Sequence, residues 1–290
     1  MIAEEGRFVG AGGLGIYFQS WLPEIEPRAV VVIVHGAGEH SGRYPHVATS
    51  LVADGYAVHA LDHRGHGRSG GSRALIDRMD NAVADLDSLV LRAAARHPGT
   101  QIFMLAHSMG GTVALCYATA HQDRLAGLIL SAPLAALAAA SPAMRIAGRL
   151  LSTVAPKLGL VAVDSSLISR DPEVVSAYES DALVHHGKLP ARTVAELAAA
   201  IESFPDGVGA IQLPALILYG TADGLCPPSG STMVGDRIGS SDVTVKAYDG
   251  LYHEILNEPE RGAVLDDLCS WLNERVSAAT VGGAAGSTTS

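Results

Sequence analysis

At 290 residues, with 48% hydrophobic and 17% charged residues, the chain can bury a large core and reads as one α/β domain carrying an insertion. A formal net charge of −10 excludes a phosphate backbone as natural partner, so no nucleic acid is expected, and argues against plain electrostatic adhesion to anionic lipid. Three scattered cysteines, Cys116, Cys226 and Cys269, lack CxxC or metal-ligand spacing, and the start MIAEEGRFVG lacks the apolar core of a secretory signal; both features point to a cytoplasmic protein with reduced thiols.

From Arg7 to Leu22 apolar residues alternate around a glycine cluster, which predicts a β-hairpin. Gly10, Gly12 and Gly15 match a dinucleotide fingerprint, as do Gly65, Gly67 and Gly70, yet neither run opens a helix that could hold a pyrophosphate. No nucleotide cofactor is expected. Ala29 to Val34 is an apolar run suited to a strand covered on both faces, and it leads into His35-Gly36-Ala37-Gly38-Glu39-His40. His35, Glu39 and His40 lack a third ligand at matching local spacing, so no metal is expected there. A helix follows over Tyr44 to Asp54, then a strand over Tyr56 to Leu61. The charged loop from Asp62 to Ser69 is expected to brace its neighbours through Asp62 and its arginines. Asn81 to His97 has helical periodicity and ends at Pro98-Gly99.

Residues 101–121, QIFMLAHSMGGTVALCYATAH, read as strand, abrupt turn and helix. The turn carries Ala106-His107-Ser108-Met109-Gly110-Gly111, a small-x-Ser-x-Gly pattern with Ala in the usual first glycine place. Small neighbours let a strand reverse into a helix at one residue, leaving the Ser108 hydroxyl at the tip with a helix N-terminus behind it. Val113, Leu115, Cys116 and Ala120 are expected to form the packed side of that helix.

The uncharged stretch from Leu125 to Met144 is broken by Pro133 and Pro142, so it reads as a strand entering an insertion rather than a membrane span. The segment from 134 to 212 is rich in Ala and Leu and punctuated by prolines; we read it as a helical cap over the carboxyl ends of the strands. Its apolar residues, among them Met144, Ile146, Leu150, Leu151, Val154, Leu158 and Leu160, either line an acyl channel or pack on the core. Strands then resume at Pro214 to Tyr219 and Val243 to Ala247, and a last helix spans about Arg261 to Val276. The domain reading is therefore a core over 1–133 and 213–276, a cap over 134–212, and a disordered tail over 277–290.

Three strand ends carry, in chain order, Ser108, Asp223 and His253, the order used by serine α/β hydrolases. Asp223 follows its strand directly in a glycine-flanked loop and is favoured over Asp249, which sits four residues from His253 and suits a turn. The backbone N–H groups of Ala37 and Met109 are the expected oxyanion donors, each typically worth about 3 kcal/mol of barrier. Ser108 at the elbow, rather than Asp, disfavours the epoxide hydrolases and dehalogenases.

The stretches HGAGEHSGRY (35–44), ALDHRGHGRSGG (60–71), HSMGG (107–111), SRDPEVVSAYESDALVHHG (169–187) and GLYHEILNEPE (250–260) resemble the monoacylglycerol lipases, the mycobacterial type most of all. The resemblance runs from about residue 7 to 276. It implies an α/β-hydrolase fold, hydrolysis of monoacylglycerol to fatty acid and glycerol, no cofactor, and a cap that meets membrane or micelle, making the protein peripheral at membranes. It also implies that Glu39, Arg43, His107 and Tyr178 surround the alcohol pocket. A carboxylesterase or lysophospholipase of the same fold is the nearest alternative; an acyltransferase and a ligand-binding module are further ones. Cys226, three residues beyond Asp223, is expected beside the pocket, where a bulky thiol reagent would slow the enzyme.

Overall fold

Eight strands form one sheet in the computed structural model, which describes residues 1–137 and 142–284, with side chains described over 1–137 and 148–276. The chain begins with β1 (Ile2–Val9) and β2 (Gly15–Leu22), an antiparallel pair that starts earlier than the expected hairpin. A single 3-10 turn over Ala11–Gly13 leads straight into β2, so the first glycine cluster opens no α-helix. Next come β3 (Ala29–Val34), α1 (Pro45–Ala53), β4 (Tyr56–Leu61), α2 (Met79–Arg96), β5 (Ile102–His107), α3 (Met109–His121) and β6 (Gly127–Ser131). After the segment described below, β9 (Ala215–Gly220), α7 (Pro228–Arg237), β10 (Val243–Tyr248) and α8 (Arg261–Ala284) complete the chain. The order across the sheet is β1-β2-β4-β3-β5-β6-β9-β10, antiparallel at β1/β2 and β2/β4 and parallel elsewhere.

Period-two alternation explains the two layers. Along β3, Val30, Val32 and Val34 join Leu86 and Leu89 of α2 and Val113 of α3, while Val31 and Ile33 join Val47 and Leu51 of α1 and Leu268 and Leu272 of α8. Every residue of β3 is buried, as its unbroken apolar run predicts. Full burial of each such side chain contributes about 1.5–3 kcal/mol. Helix α3 departs from the one-sided packing expected of it: Met109 to Leu115 are all buried, Cys116 is half-buried and Ala120 is exposed. Its first turns lie between the sheet, α2 and the helix that crosses from the inserted segment.

That segment, between β6 and β9, holds α4 (Pro142–Val154), β7 (Gly159–Val161), α5 (Pro172–Ser180), β8 (Leu189–Pro190) and α6 (Ala191–Gly207). It is not wholly helical, since β7 and β8 pair antiparallel. Pro172 opens α5, where its missing N–H costs nothing. Pro205 lies inside α6 without ending it. Leu197, Ile201 and Phe204 anchor α6 in the main core. Of the apolar residues named above, Leu160 lines the interior cavity, whereas Leu150, Val154 and Leu158 are 64%, 70% and 51% exposed. The side chains of Met144 and Ile146 lie outside the described residues.

Segment 165–187 is fastened to core loops. His185 N–H donates to Gly38 O (2.7 Å), Glu254 N–H to Ile168 O (2.7 Å), and Arg170 Nε to Glu258 Oε2 (2.7 Å). Helix α8 continues past Val276 to Ala284; the rest of the expected tail, 285–290, lies outside the described residues. Among the described residues no helix is long and apolar enough to cross a membrane.

Candidate active site

Ser108 joins β5 to α3 with φ 53° and ψ −122°, a left-handed conformation that a non-glycine residue holds only under constraint. The constraint comes from the residues after it. A Cβ built on Gly110 would stand 2.2 Å from Val34 O and 2.6 Å from His35 O, so only glycine lets the helix start pass this close to β3. Ala106, in place of the usual glycine, is wholly buried and accommodated. The Ser108 N–H is held by Ser131 O at 3.1 Å, and its own carbonyl receives the N–H of Gly111 (2.8 Å) and Leu134 (3.0 Å).

The loop after β3 brings Gly36 and Ala37 to the same point: a Cβ on Gly36 would lie 3.1 Å from Ser108 Cβ. Among the described residues, the N–H groups of Ala37 and Met109 have no hydrogen-bond partner. Met109 is the first residue of α3, so its donor is one of the helix's free ones.

Asp223, in the loop after β9, accepts Leu225 N–H and Cys226 N–H on Oδ1 (2.8 and 2.9 Å), and its Oδ2 accepts His253 Nδ1–H at 2.8 Å. Both side chains are buried. Asp249 is exposed and accepts from Thr221 Oγ1 at 3.2 Å, the turn role expected of it. Burial works against a charged imidazole at His253, but Cys226 and Asp223 together raise its pKa well above the ordinary histidine value.

The sequence does not foresee how closely Cys226 approaches both serine and histidine. Ser108 Oγ and His253 Nε2 share no direct hydrogen bond; Cys226 Sγ lies 3.7 Å from the first and 4.0 Å from the second. Such contacts are often loose without substrate and tighten when it binds. Cys226 is buried and lines the cavity, where it was expected. Among the described residues, Asp223, Cys226 and His253 are also the only group of metal-binding side chains that converges, their ligand atoms lying within 4.8 Å of one another. His35 and His40 form no such group. Asp62 braces the loop after β4, accepting Ser41 N–H (2.8 Å), Ser41 Oγ–H (2.6 Å) and Arg68 N–H (2.7 Å).

Glu39, Arg43, His107 and Tyr178 do gather, around a residue the sequence reading passed over. Arg43 Nη1 and Nη2 donate to both carboxylate oxygens of Glu254 (2.6 and 2.8 Å), and Nη1 also donates to Glu39 Oε2 (2.9 Å). Glu39 Oε1 accepts Gly36 N–H (2.6 Å) and Tyr44 Oη–H (2.8 Å). The guanidinium lies 4.8 Å from the centroid of the Tyr178 ring. Burial raises the carboxyl pKa of Glu254, but Arg43 outweighs it and holds the group below its usual range. Burial likewise opposes charge on Arg43, and Glu254 and Glu39 keep it protonated. The His107 ring lies tilted against that of His253, centroids 4.7 Å apart, with Nδ1 at 3.0 Å from Ser131 O; burial and then the neighbouring His253 lower its pKa. Glu254 follows the predicted base directly in sequence, and an acid there, with an arginine in the HGAGEHSGR loop, was the available signal.

These groups open on a cavity of about 920 Å³, near the top of the usual range for ligand sites, which runs from Ser108, His253 and Glu254 beneath α6 to Leu160 and Met233. A serine at a strained strand-to-helix elbow, an Asp–His pair from the two following sheet loops and two free amide donors on a mostly parallel sheet define an α/β hydrolase. The family model described as Serine aminopeptidase, S33 matches residues 25–260. A monoacylglycerol lipase of Mycolicibacterium smegmatis is 43% identical over 92% of this chain and 96% of that protein, and a monoglyceride lipase of Homo sapiens is 34% identical over 94% and 91%. The crystal structure of Paleococcus ferrophilus monoacylglycerol lipase has a TM-score of 0.79 at 30% identity, covering 95% of this chain and all of that one. The chain belongs to the Serine aminopeptidase, S33 family and, within it, to the monoacylglycerol lipases. The expected fold and enzyme class, a carboxylic ester hydrolase, are met.

Proposed function

We propose that the protein hydrolyses monoacylglycerol to a fatty acid and glycerol through an acyl-enzyme on Ser108. His253 Nε2 takes the hydroxyl proton as Ser108 Oγ attacks the ester carbonyl, and returns it to the departing glycerol oxygen. Water then attacks the acyl-enzyme, giving its proton to the same nitrogen, which passes it to Ser108 Oγ as the acyl–oxygen bond breaks and the fatty acid is released. Asp223, bonded to Nδ1 at 2.8 Å, fixes the tautomer that leaves the Nε2 lone pair free and stabilises the imidazolium. The N–H groups of Ala37 and Met109 receive the oxyanion in both steps.

The observation that carries the substrate assignment is the polarity of the cavity. Glu254, His107 and Ser108 line it together with a mostly apolar wall that includes Leu160, Leu197, Ile201 and Met233, with Arg149 and Glu202 as further charged residues of the lining. A small polyol head and a long apolar tail match that distribution. Glu39 and Arg43 support the polar end from behind, and the Tyr178 hydroxyl, which has no hydrogen bond among the described residues, is free to meet a glycerol oxygen. Segment 134–212 acts as the cap, with exposed Leu150 and Val154 on its outer side as the contact with membrane or micelle.

The test is a fluorophosphonate label located by mass spectrometry, run beside a substrate panel. Labelling at Ser108 with kcat/KM highest for long-chain monoacylglycerol supports the reading. Faster turnover of short nitrophenyl esters or of lysophospholipid overturns the substrate, and labelling elsewhere overturns the mechanism.

A further inference from the structure

We propose that Cys226 Sγ and His253 Nε2 form a binding site for a soft divalent cation, zinc first, and that the bound ion reversibly silences the enzyme by occupying the lone pair of the base.

Three observations carry the site. The two donor atoms lie 4.0 Å apart. A tetrahedral zinc, with Zn–S near 2.3 Å and Zn–N near 2.0–2.1 Å, sets them roughly 3.6 Å apart, so the side chains need close by only a few tenths of an ångström. Second, His253 already has the support that zinc-bound histidines require. Its Nδ1–H is held by the buried Asp223 carboxylate at 2.8 Å, which fixes the tautomer and aims the Nε2 lone pair toward Cys226, the carboxylate–histidine–metal arrangement. Third, Ser108 Oγ stands 3.7 Å from Cys226 Sγ and all three residues line the cavity, so a third oxygen ligand, a water and an entry route are at hand.

Thiolate and imidazole select zinc or cadmium over magnesium or calcium, which want oxygen ligands. On binding, the Cys226 thiol gives its proton to solvent and the sulfur keeps its electron pair for the metal; nothing is oxidised or reduced. The other thiols offer no such pair. Cys116 and Cys269, whose pKa values burial pushes up to about 12 and about 11, belong to no ligand group among the described residues. In the catalytic cycle Cys226 neither forms a bond nor carries a proton, so its thiol is available to the ion.

Silencing rests on His253 being the base; metal binding does not. The experiment separates the two by titrating chelator-treated protein with cadmium and zinc salts. Cadmium should produce the ultraviolet thiolate-to-metal band without any substrate present. Zinc should slow both fluorophosphonate labelling of Ser108 and ester hydrolysis, and EDTA should restore both. Cys226→Ser, compared with its own metal-free rate, should lose the band and need at least about tenfold more zinc for half-inhibition, since loss of a direct ligand costs no less than the tenfold or more that loss of an outer partner costs. Magnesium at the same concentration should do nothing. A band that persists in Cys226→Ser, or equal zinc sensitivity in that variant and the parent, overturns the site. A band without slowed labelling overturns the silencing, and a slowed label with no turnover of any ester overturns only the lipase reading.

Discussion

Replacing Arg43 with Met tests the charge arrangement at the polar end of the cavity. The guanidinium touches three elements at once: Glu39 of its own loop, Glu254 beside the base, and the Tyr178 ring of α5. Glu254 is buried and its pKa is held down by Arg43 against the upward push of burial. In the parent its contribution to stability is therefore present above the unfolded glutamate value, about 4.3, and is lost as the pH falls through the lower folded value. Without Arg43 the balance inverts. Burial then dominates, the folded value rises above the unfolded one, and stability is lost as the pH climbs toward neutrality. Removing one partner of a buried pair costs about 3–5 kcal/mol, because the other charge stays behind uncompensated. At about 2 °C per kcal/mol for a chain of this size, Tm should fall by roughly 6–10 °C at pH 8. Calorimetry at pH 5 and pH 8 reads the effect: the deficit should shrink at the lower pH, and Arg43→Met/Glu254→Gln should recover part of it. A deficit equal at both pH values, or under about 2 °C at pH 8, would refute the claim that Arg43 holds Glu254 ionised.

Three further outcomes follow from the same geometry. Because Cys226 and Asp223 raise the pKa of His253 against burial, and the base must be neutral to act, kcat/KM should rise with pH through a midpoint above about 6.5, and Cys226→Ala should move that midpoint down; a midpoint at or below the ordinary value contradicts this. Asp223→Asn should lower kcat by about 10⁴-fold, the cost of the wrong tautomer in a worked serine-protease case, while Ser108→Ala should abolish fluorophosphonate labelling with the fold intact by circular dichroism. Gly110→Ala sets a methyl 2.2 Å from Val34 O and should destabilise by about 1–3 kcal/mol or more in denaturant melts, whereas Gly262→Ala, on open helix surface, should gain about 0.5–1 kcal/mol.

What the sequence made legible is what depends on neighbours along the chain. The apolar runs of β3 and β5, the Ser108 elbow and the order Ser108, Asp223, His253 each declare themselves within a few residues or by simple order. The structure gathers all three side chains at one sheet edge, where Ser108 Oγ and His253 Nε2 share no direct hydrogen bond and each lies near Cys226 Sγ. Glu254 escaped notice because its partner Arg43 is 211 residues away, and nothing local distinguishes it from a loop acid. The β7–β8 pair spans only three and two residues, too short for any period to show. The all-round burial of α3 depends on α6 lying across it, which periodicity within α3 cannot report.

Burial sorts the ion pairs of this protein into two kinds with different consequences. Arg78–Asp80 and Arg96–Glu4 join side chains that are half or more exposed, or nearly so, where water and salt screen the attraction. The Arg43 cluster and the Arg170–Glu258 pair bury their carboxylates against loops carrying Ala37, Ser108's neighbours and His253, and they tie segment 165–187 to those same loops. Their direction matters more than their energy. Each guanidinium hydrogen bond is short and angle-dependent, so a loop that shifts breaks it and strands a buried charge. The hydrophobic layers on either face of the sheet fix where the strands end. The buried charges then fix where the loops at those ends stand, and the reactive atoms are placed by the second only because the first is rigid.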